Sequence, residues 1–266
     1  MSGLIQWPSA KYWTKAWNPV IGCHAASPAC EHCWARGWTE RFGGGFEPRE
    51  TGTTFRPPQS GVVFCGNLTD MFGGWMGHFG GSDAFVARTL GHPKATYLWL
   101  TKRPGEMVDT LMHSSWAVDD EEMTFGWCEM GNQYFGFTAE NQEWYDRRFK
   151  EFRKLATKWK GWLSAEPLLG PIDLGLRNVY PPEAMPFQWV VVGCESGWRR
   201  RPCKLEWVED IVAECMSANV PVFVKQLDLN GRCEANINKF PAHLRVRQVP
   251  WDRRAVRAVR GWRTAE

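Results

Sequence analysis

Three thiols fall within one short stretch. Cys23, Cys30 and Cys33 lie in the run from Trp17 to Trp34, which reads Trp-Asn-Pro-Val-Ile-Gly-Cys-His-Ala-Ala-Ser-Pro-Ala-Cys-Glu-His-Cys-Trp. Three closely spaced thiols with no fourth cysteine nearby suit an iron–sulfur cluster that keeps one iron open for a substrate or cofactor. Two other chemistries use the same residue types. A structural zinc site is closed by four ligands, and His24, His32 or Cys65 could complete one. A thioredoxin-like dithiol at Cys30 and Cys33 would leave Cys23 idle and is expected at a helix start after a strand. Thiolates bind zinc and iron–sulfur clusters alike, so ligand type alone does not choose between them.

The chain that must position these thiols has 266 residues and a formal net charge of +3, enough to bury a sizeable core. No apolar run reaches the ~18 residues of a membrane span, and the first residues lack a charged flank and a hydrophobic signal core. The expected compartment is the cytoplasm. Nine cysteines in a reducing compartment read as ligands and buried thiols rather than disulfides. The small net charge hides an uneven distribution. Arg199, Arg200 and Arg201 form one basic run, and the tail from Arg245 carries Arg253, Arg254 and Arg257 with Asp252 the only acid before Glu266. Such runs can meet phosphates, or form solvated surface. Most of the seventeen tryptophans must be packing residues, although a few exposed ones could stack on bases.

Short apolar runs rich in β-branched and aromatic residues alternate with longer helical patterns, the signature of βα units around a parallel sheet. Strands are expected near Val62–Cys65, Tyr97–Leu100, Tyr134–Phe137, Gly161–Ser164, Gln188–Val192 and Pro221–Val224, with a short first strand before Cys23. Helices are expected over Ser82–Leu90, Pro104–His113, Asn141–Lys158 and Leu205–Ala218. In the last, Val208, Ile211, Val212 and Cys215 share one face, and Pro221 stops it. Polar clusters follow the strands at residues 66–70, 101–104, 138–141, 164–167, 193–197 and 225–226. In a βα barrel the carboxyl ends of the strands share one rim, where catalytic and cofactor groups collect.

Several longer motifs carry a resemblance. The run from Trp17 to Cys23, the turn from Cys30 to Trp34, Asn-Leu-Thr-Asp-Met-Phe from Asn67, Leu-Thr-Lys-Arg-Pro from Leu100, Ser-Ala-Glu-Pro-Leu-Leu-Gly-Pro-Ile from Ser164 and Gly-Cys-Glu-Ser-Gly from Gly193 together resemble the phage-type radical S-adenosylmethionine (SAM) proteins. The likeness runs in order from about Trp7 to Gly231. It implies an α/β fold, a partial (βα)6-type TIM-like barrel over residues 1–231; the remaining residues, 232–266, read from their composition as a basic Arg/Trp-rich C-terminal extension. It also implies a 4Fe-4S cluster on Cys23, Cys30 and Cys33, with SAM on the open iron. The first gap between the cysteines, six residues, is wider than is usual among radical SAM proteins.

Roles follow from the same resemblance. Asn67 and Asp70 stand where the SAM amino group is recognised, Glu140 and Asn141 are candidates for the ribose hydroxyls, and Ser164 and Glu166 for SAM or substrate. Trp34 would shield the cluster or the adenine. Lys102, Arg103, Glu195, Ser196 and Lys225 would face the substrate. Cys194 replaces a glycine usual in similar proteins and could return a hydrogen atom to a product radical, or simply pack as a small buried residue. The implied activity is modification of a nucleic-acid base, first an isomerisation on a hypermodified phage thymidine and second a base-lesion repair lyase. DNA and an electron donor such as flavodoxin or ferredoxin would be partners. A zinc-stabilised nucleic-acid-binding protein without catalysis is the alternative of a different class.

Overall fold

The computed structural model describes residues 5–42, 44–52, 55–113, 130–155, 159–176, 187–197 and 199–251. Twelve strands are described: β1 (Ile5–Gln6), β2 (Lys15–Trp17), β3 (Val20–Ile21), β4 (Arg49–Glu50), β5 (Gly61–Cys65), β6 (Ala95–Thr101), β7 (Gln133–Thr138), β8 (Lys160–Ala165), β9 (Trp189–Gly193), β10 (Val222–Leu229), β11 (Arg232–Glu234) and β12 (Gln248–Val249). Eight of them make one curled sheet in the order β11-β10-β9-β8-β7-β6-β5-β2. From β2 to β10 every neighbouring pair is parallel, while β10 and β11 run antiparallel. Each expected strand is present, including the short one before Cys23.

The helices are α1 (Trp34–Arg41), α2 (Ser82–Ala87), α3 (Pro104–His113), α4 (Gln142–Phe152) and α5 (Leu205–Ser217). Strand residues alternate between two cores, and β5 and β9 are buried along their whole length. This is why they read as unbroken apolar runs rather than alternating ones. Val63, Cys65, Tyr97, Trp99, Val190 and Val192 join Phe85, Met107, Val108, Ile211 and Val212 in the layer between sheet and helices. On the other face Val62, Phe64, Leu98, Tyr134, Trp162, Trp189 and Phe223 pack with Trp7, Tyr12, Val249 and Trp251. Aromatic edges meet there: the Tyr12 ring stands 5.0 Å from Trp189 and Trp251 4.8 Å from Trp189, both T-shaped.

The barrel expectation is corrected by this topology. The sheet is an open, strand-rich half-barrel, since its edge strands β2 and β11 lie at opposite ends of the order and do not pair with each other. The physical reason sits at Asn230 and Gly231. Both have positive φ, 52° and 73°, as a two-residue hairpin turn with a right-handed strand twist requires. The turn sends β11 back antiparallel along β10, so the last position is taken by a hairpin rather than by another parallel strand closing onto β2.

That hairpin also bears on the expected boundary at 231/232. The chain beyond it returns to the same body: Phe240, Leu244 and Val246 enter the outer core, Val249 and Trp251 the inner one, and β12 pairs with β1. Arg253, Arg254 and Arg257 lie outside the described residues. No helix among the described residues is long and apolar enough to cross a membrane.

Candidate functional site

The parallel strands deliver their carboxyl ends to one rim, where a cavity with about 1210 Å³ of open space, partly continuous with solvent, is found. Cys23, Cys30, Cys33 and Trp34 line one wall. Asn67, Asp70, Lys102, Ser164, Glu166, Cys194, Glu195, Ser196 and Lys225 line the rest, so most of the sequence-selected groups share one space.

The cysteine segment is shaped by its backbone. Gly22, φ 94°, turns the chain just before Cys23, and a Cβ there would overlap the Glu47 carbonyl. Its N–H donates to Leu68 O at 3.0 Å and its carbonyl accepts from Thr69 Oγ1 at 2.5 Å, which ties the segment to the loop after β5. A 3-10 turn over Pro28–Cys30 follows, and Cys33 is the cap residue that opens α1.

Two arginines fasten this segment to the strand ends. Arg103 donates Nη1 to Asp70 Oδ2 at 3.1 Å and Nη2 to the His24 carbonyl at 2.8 Å. Its guanidinium lies 4.8 Å from the Trp75 ring centre. Arg201 donates Nε to Glu195 Oε2 at 3.0 Å, Nη2 to Glu195 Oε1 at 2.5 Å and Nη1 to the Pro28 carbonyl at 3.0 Å. Burial raises the Glu195 carboxyl, but the hydrogen bonds from Arg201 outweigh it and leave the group below the usual carboxylate range. Each arginine thus bridges a strand-end carboxylate to a carbonyl of the cysteine segment.

The two residues expected at an amino group part company. Asp70 already accepts from Phe72 N at 3.1 Å, Thr101 Oγ1 at 2.7 Å, Lys102 N at 3.0 Å and Arg103. Four donors fill a carboxylate's acceptor sites, so Asp70 organises the rim. Asn67 Oδ1 is buried without a hydrogen-bond partner, which leaves an acceptor available to an N–H of a ligand. Glu140 and Asn141 are absent from the cavity lining. Glu140 is fully buried and pairs with Arg148 at 2.7 Å, while Asn141 caps α4 by accepting from Trp144 N at 3.1 Å.

Glu166 is paired with Lys225 at 2.5 Å, and Gln226 Nε2 donates to the Cys194 carbonyl at 2.7 Å. The Cys194 thiol contacts that of Cys233 on β11. Their interaction pushes Cys194 well above the usual thiol range and, with help from the Arg200 charge, draws Cys233 below it. Two members of the basic run pair with carboxylates of this chain, Arg201 with Glu195 and Arg200 with Asp228 at 2.7 Å. Sequence reasoning missed Tyr12 and Trp13, which wall the cavity from the segment before β2, and Cys233. Nothing in the period or spacing of those residues marks them. Tyr12 and Trp13 reach the cavity wall from the segment before β2, and Cys233 reaches Cys194 from β11.

Cys23, Cys30 and Cys33 are the residues that could hold a metal or cluster. All three are half-buried, unbridged thiols on one loop facing one cavity. The Cys23 thiol donates to the His24 carbonyl at 3.4 Å, and Cys30 Sγ accepts from Ala26 N at 3.4 Å. Burial and the nearby Asp70 push Cys23 up to about 12, against the pull of Arg103, so ligation there would have to displace a proton. Among the described residues, no group of three or more His, Cys, Asp or Glu side chains is arranged to hold a metal ion. The fit is therefore one of donor kind and number, with the three thiols on one cavity wall. Of the groups that could complete a zinc site, Cys65 is excluded from the cavity by its place in the outer core, whereas His24 and His32 line the wall.

Fold and site together define an α/β protein with a half-barrel sheet and a three-cysteine loop at the carboxyl rim of its parallel strands. Residues 8–239 match the family model described as "Protein of unknown function (DUF5131)", and the chain belongs to that family. No curated protein and no solved structure matches it.

Proposed function

We propose that this protein is a radical SAM enzyme acting on a nucleic-acid base, with Cys23, Cys30 and Cys33 as the ligands of a 4Fe-4S cluster. The observation that carries the reading is that three thiols of one loop line a cavity shared with Asn67, Ser164, Glu166 and Cys194 from the strand ends. Bound there, cluster and SAM would supply reductive cleavage of SAM and hydrogen abstraction from the substrate.

The chain's own residues do the rest. Arg103 and Arg201 hold the cysteine loop against the rim. Asn67 Oδ1 accepts an N–H of the bound ligand, which its buried, unpartnered state favours. Tyr12, Trp13 and Trp34 provide apolar walls that keep water from a reactive centre. Ser164 and the Glu166–Lys225 pair offer polar groups across the cavity. The reaction class proposed first is isomerisation, in which an aminoacyl substituent on the thymidine 5-methyl carbon passes from nitrogen to carbon linkage. A base in duplex DNA would have to be flipped out to reach the cavity. A repair lyase is the second reading, favoured by Cys194 on the cavity wall, where a thiol can return a hydrogen atom. DNA and a flavodoxin- or ferredoxin-type electron donor are the partners this reading requires.

Metal analysis after anaerobic reconstitution tests the reading. The expected result is a brown protein with about four irons, the content of a 4Fe-4S cluster, reduced to background in Cys23→Ala, Cys30→Ala and Cys33→Ala. A colourless protein with one zinc would overturn it.

A further inference from the structure

The cations around the cavity are not equivalent. Arg103 faces Asp70, Lys225 faces Glu166, and Arg201 behind the wall holds Glu195. Arg36 lines the outer edge, exposed, with its guanidinium 5.2 Å from the Phe46 ring centre. Each carboxylate on the cavity lining, Asp70, Glu166 and Glu195, is thereby matched. Lys102 differs. It is half-buried directly after β6, and its backbone is committed, N–H to Asp70 Oδ2 at 3.0 Å and carbonyl from Arg148 Nε at 3.1 Å. Lys102 lines the cavity, and no carboxylate among the described residues forms an ion pair with its ammonium.

A half-buried ammonium with no carboxylate partner, in a recess whose carboxylates each already face a cation, favours a negative group, because its charge is not neutralised nearby. The fixed backbone of Lys102 makes it a defined anchor rather than a surface lysine. We propose that Lys102 anchors one oxyanion of the ligand that enters this cavity. On the reading given above, that oxyanion is the phosphate of the nucleotide being modified or the carboxylate of the SAM cofactor. The preference for an anion rests on the charge pairing alone.

The test is isothermal titration calorimetry on the full chain without reductant, using two matched pairs of probes. Thymidine 5′-monophosphate against thymidine reads the phosphate. S-Adenosylhomocysteine against 5′-methylthioadenosine, which lacks the amino-acid part, reads the carboxylate. In the wild-type protein at least one anionic probe should bind about tenfold tighter than its partner, and the gap should narrow as salt is raised. Lys102→Met should abolish that gap while leaving the uncharged probe's affinity in place, and Lys102→Arg should restore it. The pair whose gap depends on Lys102 identifies the source of the oxyanion. A thermal melt of each variant separates loss of the anchor from loss of fold. The proposal is overturned if wild-type protein shows neither gap, or if Lys102→Met leaves the gaps intact. Since no reductant is present, failure to cleave SAM in other assays would remove the radical reading without altering this result.

Discussion

At the scale of single residues, the site is organised by pairs in which one group fixes another. Arg103 and Arg201 each use a planar fork of donors to hold a carboxylate and a loop carbonyl at once, a geometry that lysine cannot copy. The Cys194–Cys233 contact is a second kind of pair, in which one thiol keeps its proton and helps the other to lose it. Because this contact and the Arg200 charge hold Cys233 below the ordinary thiol range, its thiolate fraction rises at lower pH than that of an ordinary thiol. Iodoacetamide alkylation of Cys233, followed by peptide mass spectrometry, should accelerate with a midpoint below the ordinary thiol range. In Cys194→Ser the midpoint should move upward, since a hydroxyl is a poorer match for the sulfur contact. A Cys233 rate that stays flat until the ordinary thiol range would contradict this account.

At the scale of elements, the cysteine loop depends on how it leaves β3. Gly22→Ala has to fit a Cβ against the Glu47 carbonyl at a positive φ. Chemical denaturation should show a loss of about 2 kcal/mol, the usual cost of such backbone strain, and reconstituted iron content should fall with it. The strands were legible because two-sided burial leaves apolar runs between polar turn segments, as in β9, and α5 was legible from the one-face spacing of Val208, Ile211, Val212 and Cys215. The closure of the sheet was not. Whether the last strand continues a parallel series or folds back depends on Asn230 and Gly231, a local turn at the very end of the expected barrel. The same limit applies to the site. The cysteines, Asn67 and Lys102 were visible as chemistry-bearing residues after strands, but Asp70 and Glu140 could not be told from them. Their pairing with Arg103 and Arg148 comes from partners tens of positions away or on a helix face.

At the scale of the molecule, an open half-barrel gives a wide mouth, and the chain narrows it with the cysteine loop on one side and Tyr12 and Trp13 on another. The inner aromatic core, with Trp162 and Trp189 fully buried, fills the interior of the curled sheet. Membership of a family of unknown function fixes no reaction, and the central claim rests on the three thiols and the cavity they share. Its most direct test is anaerobic incubation of reconstituted protein with SAM and a strong reductant, read by chromatography for 5′-deoxyadenosine. The account predicts 5′-deoxyadenosine from the wild-type protein and none above background from Cys23→Ala. Its absence from wild-type protein that carries a full complement of iron would contradict the account.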